Sequence, residues 1–321
     1  MKRWLRFAVW LLAALGVPAF AQNYPERSLH ILVGFAPGGA ADVLARTIAQ
    51  GLGERIGQSV IVENRPGASG MIAAEAVARA APDGYTLLLA SPGEIAVNPS
   101  LYKKRAYDPL RDLVPVTLAG NTPLILVVAP ESPVHTVDDL VRLARSKPGE
   151  ITYASAGAGS APHLAGKYFE LVTGTSLLHV PYKGGSQAIA AMLSRDVAIY
   201  FSGLPPAIAQ IRAGKLRAVA VTGSKRTPLA SDVPTFEELG IKGFDITNWF
   251  AVFMPAGTPA AIVKKVQSEI AHVLSTPSAR KSLAAQGLEA IGSTPEALDR
   301  FVRMQSAKYA DLIKRAGIEK R

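Results

Sequence analysis

The chain has 321 residues, 49% of them hydrophobic and 19% charged, with a formal net charge of +10 and no cysteine. That length leaves room for two domains or one large one with a real core, and the apolar balance excludes a disordered chain. The lack of cysteine excludes a disulfide framework and a thiolate metal site, and the basic residues form no run interleaved with aromatics that would mark a nucleic-acid surface.

The chain opens with Lys2, Arg3 and Arg6, followed by an apolar stretch over 7–20 and by Ala19-Phe20-Ala21. A basic start, a short apolar segment and a small-x-small site describe a secretory signal peptide over 1–21, with the mature protein starting at Gln22. The stretch falls short of the roughly 20 apolar residues of a membrane span, although an uncleaved anchor is the alternative reading. Cleavage leaves a net charge of about +7. Export without disulfides points to a bacterial periplasm, and the charges read as solvated surface that attracts anionic solutes or faces an anionic membrane.

Short apolar runs then alternate with helix-period segments. Strands are predicted over 29–35, 59–63, 85–90, 124–129, 151–155, 177–180, 197–202 and 216–222. Helices are predicted over 41–52, 71–80, 137–145, 162–172, 187–193 and 206–213. The alternation is that of βαβ units and mainly parallel sheets. The tail differs: 259–274, 277–286 and 295–315 read as helices with proline near the first turn, and this region holds no strong strand.

One pattern occurs twice. "GFAPGGAADVLAR" (34–46) and "ITYASAGAGSAPHLAGKYF" (151–169) both run from a strand through a glycine turn into a helix, about 120 residues apart. The repetition predicts two similar α/β lobes: 22–121 plus 246–321, and 122–245. A second crossover near 245–250 returns the chain to lobe one, and two lobes with two crossovers form a hinged cleft.

The glycine turns carry the candidate chemistry. Pro37-Gly38-Gly39 brings backbone N–H groups and a helix N-terminus to one place, which suits an anion. A plain turn with Asp42 serving the helix start reads equally well. No Gly-Lys-Ser/Thr follows, so this is not a Walker loop. In the second turn, Gly157-Ala158-Gly159-Ser160-Ala161-Pro162, a proline replaces the third glycine of a dinucleotide fingerprint, and no acidic ribose reader appears. Ser155 and Ser160 bring hydroxyls instead, which suits a second carboxylate grip or an ordinary tight turn. "HVPYKGGSQA" (179–188) places Tyr182 and Lys183 at a strand end, as ligand contacts or as a packing tyrosine and a solvated lysine. "ENRPGASGM" (63–71) reads as a structural turn. "LASPGEIAVNP" (89–99) puts Ser91 at a strand C-terminus, where open α/β sheets face their ligand crevice.

Catalytic constellations are poor. His30, His135, His163, His179 and His272 form no metal-binding spacing, and no GxSxG elbow occurs. Asp138-Asp139 and Glu237-Glu238 both stand at predicted helix starts, where the dipole accounts for them. Neither a metal nor a cofactor is expected.

Taken together, "PGGAADVLAR", "VENRPGASG", "PDGYTLLLAS", "GAGSAPHLA", "HVPYKGG" and "WFAVFMPAGTP" resemble the TctC/Bug family of periplasmic solute-binding proteins, over essentially the whole mature chain. These proteins serve tripartite tricarboxylate transporters. The resemblance implies an α/β type II periplasmic-binding-protein fold: two lobes joined by two crossovers with a Venus-flytrap cleft between them. It also implies a carboxylate held mainly by backbone N–H groups and water. Carried onto this chain, the ligand site is Phe35, Ala36, Gly38, Gly39 and Ala40 with Ser91 on lobe one. On lobe two it is Ser155, Gly157, Gly159, Ser160 and His163, with Tyr182, Lys183, Gly184, Gly185 and Ser202. The chain departs from the family pattern at Gln187, at Ser194-Arg195-Asp196 and at Ala251. The expected function is a monomeric, non-enzymatic receptor that delivers a small carboxylate to membrane permease subunits. Dicarboxylates, tricarboxylates, acidic amino acids and aromatic acids are all open. A signalling partner that presents ligand to a sensor protein, or an enzyme on the same fold, are the alternatives. No nucleic-acid partner is expected.

Overall fold

The computed structural model describes residues 24–320, and the signal peptide assigned to 1–21 lies outside them. β1 (Leu29–Val33) leads into α1 (Ala40–Ile56), β2 (Val60–Asn64), α2 (Met71–Ala78) and β3 (Thr86–Ala90). β1 pairs in parallel with β2 and β3. Helices cover both of its faces, so its sequence is mostly apolar rather than alternating, with half-buried His30 paired to Glu63 as the exception. α1 turns Leu44, Ala45, Ile48 and Leu52 to the core and ends at Gly57, whose left-handed φ of 68° a side chain would strain.

After β3 come a π-helical turn at Gly93–Val97, the short helices α3 (Asn98–Leu101) and α4 (Pro109–Asp112), and the long strand β4 (Leu113–Val128). A second α/β run follows: α5 (Val137–Ser146), β5 (Thr152–Ser155), α6 (Ala161–Thr173), β6 (Leu178–Pro181), α7 (Gly185–Leu193), β7 (Ile199–Gly203), α8 (Leu204–Arg212) and β8 (Arg217–Val221). The chain closes with β9 (Thr247–Pro255), α9 (Ala260–Ser275), α10 (Pro277–Ala284), β10 (Glu289–Ala290) and α11 (Pro295–Arg315).

The strand order is β2-β1-β3-β9-β4-β7-β5-β6, with β8 and β10 also paired to β4. β4 belongs to both halves of this curled sheet. Its first part, from Leu113 to Pro123, pairs with β9, and Gly120 and Asn121 pair with β10. From Leu124 to Val128 it pairs with β7 and β8. Thr222 ties the changeover together: its hydroxyl accepts the Leu124 N–H at 2.8 Å and donates to the Ile246 carbonyl at 2.7 Å. Both chain crossings are thereby joined through one buried side chain.

Four expectations need correction. The sheet is parallel only in its outer strands; β4 and β9 at its centre run antiparallel to their neighbours. The residues over 113–123 form a strand although Pro115, Gly120 and Pro123 read as breakers, because the pairing with β9 shifts register beside Pro115 and Gly120. The tail does hold a strong strand: β9 has nine residues, buried from Trp249 onward, paired with β3 on one side and β4 on the other. Glu237-Glu238, moreover, lies in a turn instead of a helix; Glu238 accepts the Thr235 N–H at 2.7 Å and pairs with Arg226. Asp139 does cap a helix, in a reciprocal box with Thr136 at the start of α5.

α1 and α9 pack on one face of the first half with Leu29, Val33, Phe250 and Val252. α7 and α8 pack on one face of the second half with Ile125 and Val127. A third core runs behind both halves, from Leu88 and Leu126 to Phe201 and Trp249, and α11 covers part of it.

Candidate functional site

The strand ends of both halves meet at a cavity with about 460 Å³ of atom-free space, part of it open to solvent. Phe35, Gly39, Ala40, Ala41, Ser91, Asn248 and Phe250 line it from the first half. Ala156, Ser160, Pro162, Gly185, Tyr200, Gly203 and Pro206 line it from the second. No lysine or arginine is among them.

Four helix N-termini converge here. α1 starts after Gly39, α6 after Ser160, α7 after Gly184 and α8 after Gly203, and none of these four has a side-chain cap. Elsewhere Asp108, Thr136, Thr276 and Thr294 cap α4, α5, α10 and α11 with side-chain oxygens, while α2, α3 and α9 also start without a side-chain cap. An uncapped N-terminus carries the positive end of the helix dipole and N–H donors without intrahelical partners, although Pro162 in α6 and Pro205 and Pro206 in α8 have no N–H, so that Leu204 is the one donor among the first three residues of α8. A cavity built from four such ends suits an anion without a buried cation.

The loops are held by side chains that turn away from the cavity. Asp42 Oδ2 accepts the Gly38 N–H at 3.0 Å and Arg46 Nε at 2.9 Å, and Asn64 donates to both Asp42 Oδ1 and the Phe35 carbonyl at 3.0 Å. Burial opposes ionisation of Asp42, but these bonds outweigh it and hold its carboxyl below the usual range. Asp42 thus serves the helix start, as the plain-turn reading has it, and Gly39, Ala40 and Ala41 line the cavity.

In the second loop the Ser155 hydroxyl accepts the Gly157 N–H at 3.0 Å and bonds His179 Nε2 at 2.6 Å. Ser160 donates to the Gly157 carbonyl at 2.7 Å, and His163 Nδ1 accepts the Gly159 N–H at 3.2 Å. The Ser155–His179 pair has the make-up of a nucleophile and a base, which the sequence spacing did not reveal. Ser155 is buried beneath its own loop, however, and braces it.

The two halves touch around the cavity. The Ala36 N–H donates to the Lys183 carbonyl at 3.0 Å, Ser186 Oγ to the Pro37 carbonyl at 2.7 Å, and Ser69 Oγ to the Ala158 carbonyl at 2.5 Å. Glycines permit this approach: a Cβ at Gly157 would stand 2.6 Å from Ser69 Oγ, and one at Gly159 2.5 Å from Asn98 Oδ1.

Of the site residues expected from sequence, Phe35, Gly39, Ala40, Ser91, Ser160 and Gly185 line the cavity. Ala36, Gly38, Gly157, Gly159 and Gly184 form the adjoining turns and contacts. Ser155, His163 and Ser202 are buried behind the wall, where the Ser202 hydroxyl donates to the Gly203 carbonyl at 2.8 Å. Tyr182 is half-buried, and Lys183 is exposed and contributes its carbonyl. Sequence reasoning missed Tyr200, Gly203 and Pro206 on β7 and α8, and Asn248 and Phe250 on β9. The run of Ser202-Gly203 into Pro205-Pro206 was a third strand, glycine and helix-start signal that had been available.

Among the described residues no helix is long and apolar enough to cross a membrane, and no cluster of metal-binding side chains occurs. Residues 44–318 match the model of the tripartite tricarboxylate transporter family receptor. Protein BugT of Bordetella pertussis is 37% identical over 306 residues, 95% of this chain and 94% of BugT. The solved structure of the periplasmic binding protein BugD is 36% identical with a TM-score of 0.89, covering 93% of this chain and 100% of that one. The structure of Rpa4515 of R. palustris with adipate is also 36% identical, with a TM-score of 0.90 and the same coverage. With the family model matched over most of its length and its fold shared with solved binding proteins, this chain belongs to the TctC/Bug family of solute-binding receptors, which are not enzymes.

Proposed function

We propose that this protein is exported to the periplasm, captures a small carboxylated solute in the cavity and passes it to membrane permease subunits of a tripartite tricarboxylate-type transporter. The observation that carries this reading is the convergence of four uncapped helix N-termini on a cavity without a cationic side chain. Neutral donors suit a carboxylate because no buried charge is left unpaired when the site is empty. The adipate in the Rpa4515 structure supports a dicarboxylate of similar size.

Residues 22–121 with 246–321 form one lobe in this reading, and 122–245 the other. The change of partners along β4 and the start of β9 at Thr247 support these boundaries. Closure brings the lobes together over the ligand, excludes water and strengthens the N–H to carboxylate bonds. The ligand favours the closed form only by its greater affinity for it.

A thermal-shift series with adipate, succinate and aromatic acids, each beside its amide, tests the reading. Saturable stabilisation by an acid and none by its amide is expected. Equal stabilisation by acid and amide, or none by any acid in ligand-free protein, contradicts it.

A further inference from the structure

Behind the cavity wall at Ser91 lies a buried carboxyl that anion capture does not require. Glu94 sits in the π-helical turn and has no exposed surface. The Ser91 hydroxyl donates to Glu94 Oε2 at 2.7 Å, while Oε1 has no hydrogen-bond partner among the described residues. Gly70 packs against the carboxyl so closely that a Cβ there would come within 2.7 Å of its carbon. Tyr107, on the approach to α4, donates to the Glu94 carbonyl at 2.6 Å, and burial raises its phenol. Glu75 of α2 and Arg105 act on Tyr107 with opposite signs. From the second half, His163 holds the turn at Gly159, which packs on Asn98 of α3.

We infer that Glu94 fixes the hydrogen-bonding polarity of Ser91 and thereby makes the cavity prefer carboxylates that also carry a hydrogen-bond donor, a hydroxyl or an ammonium. This rests on the carboxylate-receptor reading above. An ionised carboxylate only accepts hydrogen bonds. The Ser91 hydrogen therefore points at Glu94, and lone pairs are left for the cavity. Lone pairs repel a carboxylate oxygen and welcome an O–H or N–H. Protonation reverses the arrangement: the Glu94 acid donates to Ser91 Oγ, and the serine hydrogen turns to the cavity, where it serves an acceptor. Burial pushes the Glu94 carboxyl up to about 7, so both states are populated near neutrality.

Titration calorimetry with two matched pairs tests this: succinate against malate, and adipate against 2-hydroxyadipate, at about pH 6 and about pH 8.5. The expected preference for the hydroxy acid is about fivefold to tenfold at the higher pH, the scale of one neutral hydrogen bond, and it shrinks at the lower pH. Glu94→Gln should make the preference independent of pH, and Ser91→Ala should abolish it, read as the ratio of the two affinities of each pair in the same variant. A preference equal at both pH values, or a Glu94→Gln protein with the wild-type pH dependence, overturns the assignment. Should Glu94→Gln fail to fold, Ser91→Ala and the wild-type pH series decide by the same criteria. Binding of plain and hydroxy acids without discrimination overturns this inference alone. Binding of no acid at either pH overturns the receptor reading and this inference with it.

Discussion

Gly184 faces Ala36 across the cavity so closely that a Cβ on it would stand 2.9 Å from the Ala36 nitrogen and 3.1 Å from its Cβ. The Ala36 N–H meanwhile donates to the neighbouring Lys183 carbonyl. Gly184 has φ 165° and ψ 170°, extended backbone that any residue adopts. Alanine there meets no local strain, only the other half of the protein. Gly184→Ala should therefore weaken ligand binding at least about tenfold and lower stability by about 1–3 kcal/mol, because the two halves must shift apart to admit the methyl group. Calorimetric titration and melting of the same preparation check both halves of this expectation.

Ser69 belongs to a run of four left-handed residues, with φ 141° at Gly67, 46° at Ala68, 50° at Ser69 and 85° at Gly70. Such backbone in alanine and serine is costly and persists where surrounding contacts hold it. The Ser69 hydroxyl reaches the Ala158 carbonyl on the other half. Ser69→Ala removes that bond and should weaken ligand binding by about 1 kcal/mol, roughly fivefold. Measured affinities for wild type and variant decide it, and an unchanged affinity would show that the contact is irrelevant to closure.

Thr222 satisfies two buried backbone groups at once, the Leu124 N–H and the Ile246 carbonyl. Thr222→Val keeps the shape and strands both groups. Its expected cost is about 1–3 kcal/mol of global stability, read from urea unfolding. Thr222→Ser, which keeps the hydroxyl, should recover most of that loss.

Glu94 also makes a signed prediction for stability. Its carboxyl rises from the ordinary 4.5 to about 7 on folding. Between those values the folded chain holds a proton that the unfolded chain has released. Its contribution to stability is therefore fully present below about pH 4.5 and is lost as pH rises to about 7, by on the order of 3 kcal/mol. Asp42, held below the usual range, contributes in the opposite sense and is lost only in more acidic solution. Glu94→Gln should flatten the decline in melting temperature between about pH 5 and 7 that the wild type shows. A wild-type melting temperature that rises through this interval in step with the variant would contradict the assignment.

Much of this architecture is legible in the sequence, because strands such as Leu29–Val33 and helices such as α1 announce themselves by short, mostly apolar runs and by 3.6-residue periodicity. β9 and the first part of β4 are not legible, for a local reason. Pro115, Gly120 and Pro123 are breakers by type, and only long-range pairing with β9 gives them a place in a strand. The glycine turns at Gly39 and Ser160 are legible as candidate site turns and do line the cavity, but Asn248 and Phe250 enter it through β9 and share that strand's illegibility. Ser69 illustrates a further limit: its turn looks structural until the other half of the protein is seen to rest on it.

The most direct test of carboxylate capture by helix N-termini is an amide chemical-shift map of the isotopically labelled protein titrated with adipate or the best-binding acid. The largest shifts should fall on the first-turn amides of α1, α6, α7 and α8, at Ala40, Ala41, Ala161, Gly185 and Leu204, with smaller changes at the Ala36 and Lys183 contact. Shifts confined to surface lysines and arginines, or centred away from these four helix starts, would contradict it.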